Sequence, residues 1–231
     1  MNRFFLTGDT HGSFTRIYEF CEKFETKKDD IMCILGDAGI NYYFGKKDYR
    51  LKQFLQDMPI TFFCIHGNHE ERPYNIPTYI TKEWNGGIVY YEEEFPNILF
   101  AKDGEIYNIN GKSCLVIGGA YSVDKYYRLL KGWSWFKDEQ PDEKIKEYVK
   151  QQIKKQNHFN LVLSHTCPIN TEPRHMFLKE IDQTKVDKST EIFLQEISDK
   201  ITFDDWYFGH YHANWDNEKY HMLFTGYVEV L

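Results

Sequence analysis

The chain has 231 residues, a hydrophobic content of 42% and a formal net charge of −7. This length and composition suit one α/β domain, 1–231, with a substantial buried core. The acidic balance argues against a protein that grips long nucleic acid on a broad basic face, although it leaves room for phosphorylated ligands whose charge a metal ion would offset.

In chain order, the first predicted strand is RFFLTGD at 3–9, followed by an amphipathic helix over 14–24. A strand at 31–37, IMCILGD, a helix at 49–55 and a strand at 60–69, ITFFCIHGNH, come next. Strand alternating with helix predicts parallel pairing through right-handed crossovers. The polar stretch 71–97 reads as an excursion. Over 98–119 the sequence ILFAKDGEIYNINGKSCLVIGG places KDG and NGK as hairpin turns, which makes a meander and a mixed sheet. A second excursion at 121–142 precedes a helix at 142–156, a strand NLVLSH at 160–165, a helix at 189–201 and a strand WYFGHYH at 206–212. No stretch approaches the roughly 18 apolar residues that span a bilayer. The opening Met1-Asn2-Arg3 lacks a signal-peptide shape, which predicts the cytoplasm and no membrane partner. Cysteines 21, 33, 64, 114 and 167 show no CxxC spacing and read as reduced core residues.

Five of the six short apolar runs end in side chains able to bind metal: Asp9 and His11, Asp37, Asn68 and His69, His165, and His210 and His212. The sixth ends in Gly118-Gly119. In open α/β sheets ligands bind beyond the carboxyl ends of strands, so these residues share one end of the fold. Asp9 and His11 are two apart and point to the same side of an extended segment. Asp after LG is also a common helix cap, and GN a common turn, but separate caps do not explain their joint occurrence. Carboxylate, imidazole and amide without thiolate suit Mn²⁺, Fe²⁺, Zn²⁺ or Mg²⁺, with Mn²⁺ preferred here. The set is too large for one tetrahedral zinc, so two metals sharing a carboxylate is the economical arrangement. His66, His158 and His221 fit no ligand pattern and read as structural, and Asp48 reads as a surface charge.

GDTHG, LGDAG, GNHE, SHTCP and GHYH, in that order across 8–212, resemble the motif blocks of the calcineurin-like metallophosphoesterases. GGAYSVDKYYR followed by GWSW is similar to a branch of small bacterial and phage metallophosphatases. The resemblance implies a four-layer α/β/β/α sandwich with mixed sheets and a dinuclear metal site at the strand ends. It implies that Asp9, His11 and His212 hold one metal, that Asn68, His165 and His210 hold the other, and that Asp37 bridges them. His69 would face the substrate, stabilising phosphoryl oxygens or protonating the leaving group. A water activated between the cations would attack phosphorus.

The protein serine/threonine phosphatases of this superfamily carry an Asp and an Arg in the second block, where this chain has Ile40 and Asn41. That weakens a protein-phosphatase reading and leaves Glu70 or Glu71 to orient His69. Arg72 and Arg128 are candidates to grip phosphate. Tyr121 and Tyr126, with Tyr127, Trp133 and Trp135, are candidates for a lid that stacks on a base or aryl group. The expected partner is a small phosphorylated substrate, a phosphomonoester or phosphodiester, with a tilt towards nucleotides. A nuclease on longer nucleic acid, a protein phosphatase and a non-catalytic scaffold are the alternatives; the oligomeric state is not specified by the sequence.

Overall fold

The structure is a computed structural model and describes residues 2–230. Its first sheet has seven strands in the order β13-β1-β2-β3-β6-β5-β4, with β1 (Phe4–Thr7), β2 (Ile31–Ile34), β3 (Thr61–Cys64), β4 (Ile80–Trp84), β5 (Gly87–Tyr91), β6 (Ile98–Ala101) and β13 (Tyr227–Val230). β1, β2, β3 and β6 are parallel, and the flanking β13 and β5 run against them. The second sheet has six strands in the order β11-β12-β10-β9-β8-β7: β7 (Ile106–Ile109), β8 (Lys112–Ile117), β9 (His158–Ser164), β10 (Thr202–Phe208), β11 (Trp215–Asn217) and β12 (Tyr220–Met222). Here β8, β9, β10 and β12 are parallel, and the edge strands β7 and β11 are antiparallel to their neighbours.

Alternation along each strand separates three cores. Phe4, Leu6, Cys33 and Leu35 point between the sheets to meet Val116, Leu161 and Leu163 of the second sheet. Phe5, Met32, Ile34 and Phe62 point the other way, against Ile17 and Phe20 of α1 (Thr15–Phe24) and Leu55 of α2 (Lys46–Asp57). On the far side, Val162, Trp206 and Phe208 pack on α4 (Glu143–Lys155) and α5 (Ser189–Ser198) through Val149, Phe193 and Leu194. The result is helix, sheet, sheet, helix. Each side chain the size of Leu or Phe buried in this way contributes roughly 1.5–3 kcal/mol.

Local sequence explains the helix ends. Asp142 caps α4 by accepting from the Ile145 N–H at 2.8 Å, a contact worth about 1 kcal/mol. Glu25 ends α1 in a left-handed conformation, φ 47°. The predicted segments align with α1, α2, α4 and α5 and with β1, β2, β3, β8, β9 and β10. Two expectations change. The KDG turn is not a hairpin: β6 belongs to the first sheet and β7 to the second, so this turn carries the chain across, and only NGK closes a hairpin, β7 to β8. The two excursions also hold structure of their own, the β4–β5 hairpin and α3 (Lys125–Lys131). All five cysteines are free and buried. No helix among the described residues is long and apolar enough to cross a membrane.

Candidate metal centre

The loops after β1 and β2 are stitched together by backbone: the His11 N–H donates to the Asp37 carbonyl at 2.8 Å and the Gly12 N–H to that of Ala38 at 2.9 Å. Four candidate ligands adopt left-handed backbone, His11 at φ 46°, Asp37 at 49°, His210 at 69° and His212 at 52°. Such conformations cost residues with a β-carbon about 1–3 kcal/mol each and persist where surrounding contacts over-determine them. The carboxylates supply part of that restraint. Asp9 Oδ1 accepts from the His210 N–H at 3.0 Å, and Asp37 Oδ1 from the His69 N–H at 2.8 Å. Glycine is required alongside: a β-carbon at Gly36 would lie 2.0 Å from His165 Nδ1, and one at Gly67 2.0 Å from Asp37 Oδ1.

With each Oδ1 committed to a loop, each Oδ2 faces the histidines. Asp9 Oδ2 lies 3.2 Å from His212 Nε2 and 3.7 Å from His11 Nε2, and is buried without a hydrogen-bond partner. Asp37 Oδ2 lies between the two halves of the site, 3.9 Å from His11 Nε2 and 3.6 Å from His165 Nε2. His11 and His212 aim their Nε2 atoms at one another, 2.8 Å apart. On the other side His165 Nε2 is 2.8 Å from Asn68 Oδ1, its Nδ1 is 2.8 Å from the Leu35 carbonyl, and its ring meets that of His210 with centroids 5.0 Å apart. An imidazole bonded through Nδ1 to a backbone carbonyl has its Nε2 lone pair free for a cation.

Charge and burial are opposed at Asp37 and His165 and act together at His210. Burial works to raise the Asp37 carboxyl, but His165, His69 and His11 together hold it well below the usual carboxylate range. Burial would lower His165, yet Asp37 and then Asp9 drive it up to about 9. His210, buried beside His165, is pushed down to about 3. Burial likewise lowers His69, with Asp37 pulling the other way.

These residues fit divalent cations. Asp9, His11 and His212 offer atoms within 4.8 Å of one another, as do Asp9, Asp37 and His165, so Asp9 and Asp37 link the two halves. A buried carboxylate oxygen without a donor and two imidazole nitrogens facing one point are what a cation would satisfy, and an N/O donor set without thiolate suits Mn²⁺, Fe²⁺, Zn²⁺ or Mg²⁺. His69, His11 and Asp37 form a third such group. His69 also turns Nε2 towards Asp124 Oδ1, 3.9 Å away.

Several sequence expectations about the substrate side are corrected. Arg72 does not face the cleft: its side chain is buried in an ion pair with Asp103, and its Nε donates to the Asp138 carbonyl at 2.7 Å. Arg128 is 1% exposed, lies behind Asp124 at 3.9 Å, and donates to Ser122 Oγ at 3.4 Å, the same hydroxyl that accepts from Asn68 Nδ2 at 2.9 Å. Its Nε and Nη2 are buried without a hydrogen-bond partner, and its guanidinium lies over the Tyr42 ring, 5.5 Å from the centroid. Tyr126 is 74% exposed and lines neither cavity beside His69. Tyr121 does line the cleft, a cavity of about 470 Å³ that also holds Asn68, His69, His210 and His212. Trp133 lines a second recess of about 390 Å³ that shares His69 with the first, together with Tyr42 and Tyr43. Glu70 accepts from the Gly67 N–H at 2.8 Å and Glu71 from Asn75 Nδ2 at 2.5 Å, so Asp124 is the carboxylate facing His69. Of the histidines read as structural, His221 sits between Asp216 and Asp205, at 2.7 and 3.0 Å, and His158 meets Thr202 at 2.9 Å.

Sequence reasoning missed Asp124, Ser122 and Glu191. Asp124 stands just before α3, where an acidic residue reads as an ordinary helix start.

A model of the calcineurin-like phosphoesterase family matches residues 2–214. Among solved structures, TT1561 of Thermus thermophilus aligns with a TM-score of 0.53 at 10% identity, over 96% of this chain and 88% of that one. A second solved chain aligns at 0.50 and 10% identity, over 96% and 89%. AQ665 from Aquifex aeolicus, described as of unknown function, gives 0.38 at 14% identity, over 74% and 82%. At these identities the first two carry a likeness of fold alone. No curated protein matches the chain. The family match, the two mixed sheets and the clustered metal-type side chains agree: the chain belongs to the calcineurin-like phosphoesterases, a family dependent on two divalent metal ions.

Proposed function

We propose that this protein hydrolyses a small phosphorylated substrate, a phosphomonoester or phosphodiester, in the cytoplasm, and that 1–231 acts as one domain. The observation that carries this reading is the division of Asp37 Oδ2 between His11 and His165, 3.9 and 3.6 Å away, which sets an anionic carboxylate between two ligand groups. Asp9, His11 and His212 would hold one metal, Asn68, His165 and His210 the other, and Asp37 both. Bound there, two divalent cations supply Lewis acidity towards phosphoryl oxygens and lower the pKa of coordinated water, with Mn²⁺ the preferred ion.

The remaining tasks fall to the chain itself. His69 stands over the cleft with its backbone fixed by Asp37 and its ring facing Asp124. A neutral imidazole there donates a hydrogen bond to an oxygen gaining charge. Once protonated, it delivers a proton to the leaving group, a contribution of about 10²–10⁴ in rate. Ser122 holds the Asn68 amide so that its Oδ1 faces His165.

The test is a panel of phosphomonoesters, linear and cyclic diesters, nucleotides and phosphopeptides, assayed after chelation and again with Mn²⁺. Turnover of small esters restored by Mn²⁺ supports the reading. Activity on phosphopeptides or long nucleic acid alone would replace the substrate class, and no turnover at all would leave a binding scaffold.

A further inference from the structure

The cavity of about 470 Å³ beside His69 and His210 is in the size range of small-ligand pockets. Met176, Phe177, Leu178, Ile181 and Val186 give it an apolar wall. Leu178 is 65% exposed and Met176 39%, so carbon surface is presented at the mouth of a polar site.

Two polar residues of the same lining have the opposite chemistry. Glu191 on α5 is 3% exposed, and its Oε2 has no hydrogen-bond partner. Gln183 lines the same cavity, and its Oε1 is also buried without a donor. Lys188, the cation of the cavity wall, places its Nζ 2.6 Å from Glu172 Oε1 and is engaged there. Glu191 is held by the metal-site loops themselves. Its Oε1 accepts from Thr166 Oγ1 at 2.9 Å, and that hydroxyl lies 3.0 Å from the Tyr211 hydroxyl; Thr166 and Tyr211 directly follow His165 and His210. The carboxylate is thus fixed relative to the metal ligands.

Two buried acceptors without donors call for a ligand that brings N–H or O–H donors, and an apolar wall calls for one with a hydrophobic face. A sugar or glycerol phosphate lacks the face, and an unsubstituted aryl phosphate lacks the donors. Resting on the phosphoesterase reading, we propose that this cavity is the leaving-group subsite for a nucleoside phosphate whose base carries an amino group, with Glu191 and Gln183 accepting from that amine. The phosphoryl group then lies over the Asp37 and His69 side, and the base packs against Phe177.

The test is steady-state kinetics of the Mn²⁺-loaded protein on paired nucleotides. Adenosine 5′-monophosphate and its 2′,3′-cyclic phosphate are compared with the same esters of purine riboside, which lacks only the amine; p-nitrophenyl phosphate and its bis-ester report basal chemistry. Assayed at about pH 8.5, where Glu191, raised by burial to about 7, is ionised, the expected result is a kcat/KM 10- to 100-fold higher for the amine-bearing member, the scale of a hydrogen bond to a charged acceptor. Glu191→Gln should shrink that ratio. Gln183→Ala, in a surface turn, should shrink it in the same direction if Glu191→Gln does not fold. Equal rates for the pair, or ratios unchanged in both variants, with p-nitrophenyl esters still turned over, would overturn the subsite while leaving the phosphoesterase reading intact. Ribose 5-phosphate turned over as well as the nucleotides would overturn it too. Failure on every ester, p-nitrophenyl included, would instead remove the reading beneath it.

Discussion

Asp37 and His69 are joined by a 2.8 Å hydrogen bond from the His69 N–H to Asp37 Oδ1, so the carboxylate set between the two halves of the site also fixes the loop that presents the imidazole. Asp37→Asn keeps an oxygen able to accept that bond but removes the charge that His165, His69 and His11 stabilise. Phosphoesterase turnover should fall at least about 100-fold, the scale of a preorganised charge, together with metal content. Asp48 is unsuitable as the control that its sequence context suggests, because it is buried and accepts from the Phe44 N–H at 2.7 Å. The exposed Asp57 serves, and Asp57→Asn should be silent. Near-normal turnover and metal content in Asp37→Asn would reduce Asp37 to a turn residue.

Neighbouring residues at the end of the third strand should separate in their effects. His69→Ala should leave metal content and melting temperature close to wild type while turnover falls about 10²–10⁴-fold, with a larger loss for alkoxide than for nitrophenolate leaving groups. Asn68→Ala removes the oxygen facing His165 and the amide held by Ser122, so it should lower metal occupancy and slow both substrates alike. Metal loss in His69→Ala would assign His69 to coordination with His11 and Asp37, a grouping that the distances also allow.

The site was more legible in the sequence than its surroundings. Asp9, His11, Asp37, Asn68, His165, His210 and His212 each close a short apolar run, and parallel pairing carries such residues to one end of a sheet. The crossing of the chain between sheets at KDG was not legible, because a Gly turn between two strands reads the same whether they pair or part. Nor was the burial of Arg72, since its partner Asp103 lies 31 residues away and only the tertiary fold brings them together.

Arg72 should accordingly behave as a structural residue. Arg72→Ala leaves the Asp103 carboxylate buried without its counter-ion, a loss on the order of 3–5 kcal/mol in chemical denaturation. KM for small phosphoesters should stay close to wild type in the folded fraction. A raised KM with unchanged stability would restore Arg72 to the substrate side.

Glu191 gives the metal-free protein a pH signature. Burial pushes its carboxyl up to about 7, whereas in the unfolded chain it ionises near its ordinary value of 4.5. Between those values the folded state holds the extra proton, so this group's contribution to stability falls as pH rises from 4.5 to 7. Glu191→Gln should flatten the pH dependence of the melting temperature across that window. An unchanged profile would mean that Glu191 is ionised in the folded protein.

The most direct measurement of the central claim is the metal stoichiometry of the chelated protein titrated with Mn²⁺, followed in the same samples by turnover of p-nitrophenyl phosphate and its bis-ester. Two equivalents bound per chain, with activity rising as the sites fill, is the predicted result. Fewer than about one equivalent, with no activity at saturating Mn²⁺, would contradict a dinuclear phosphoesterase centre built on Asp37.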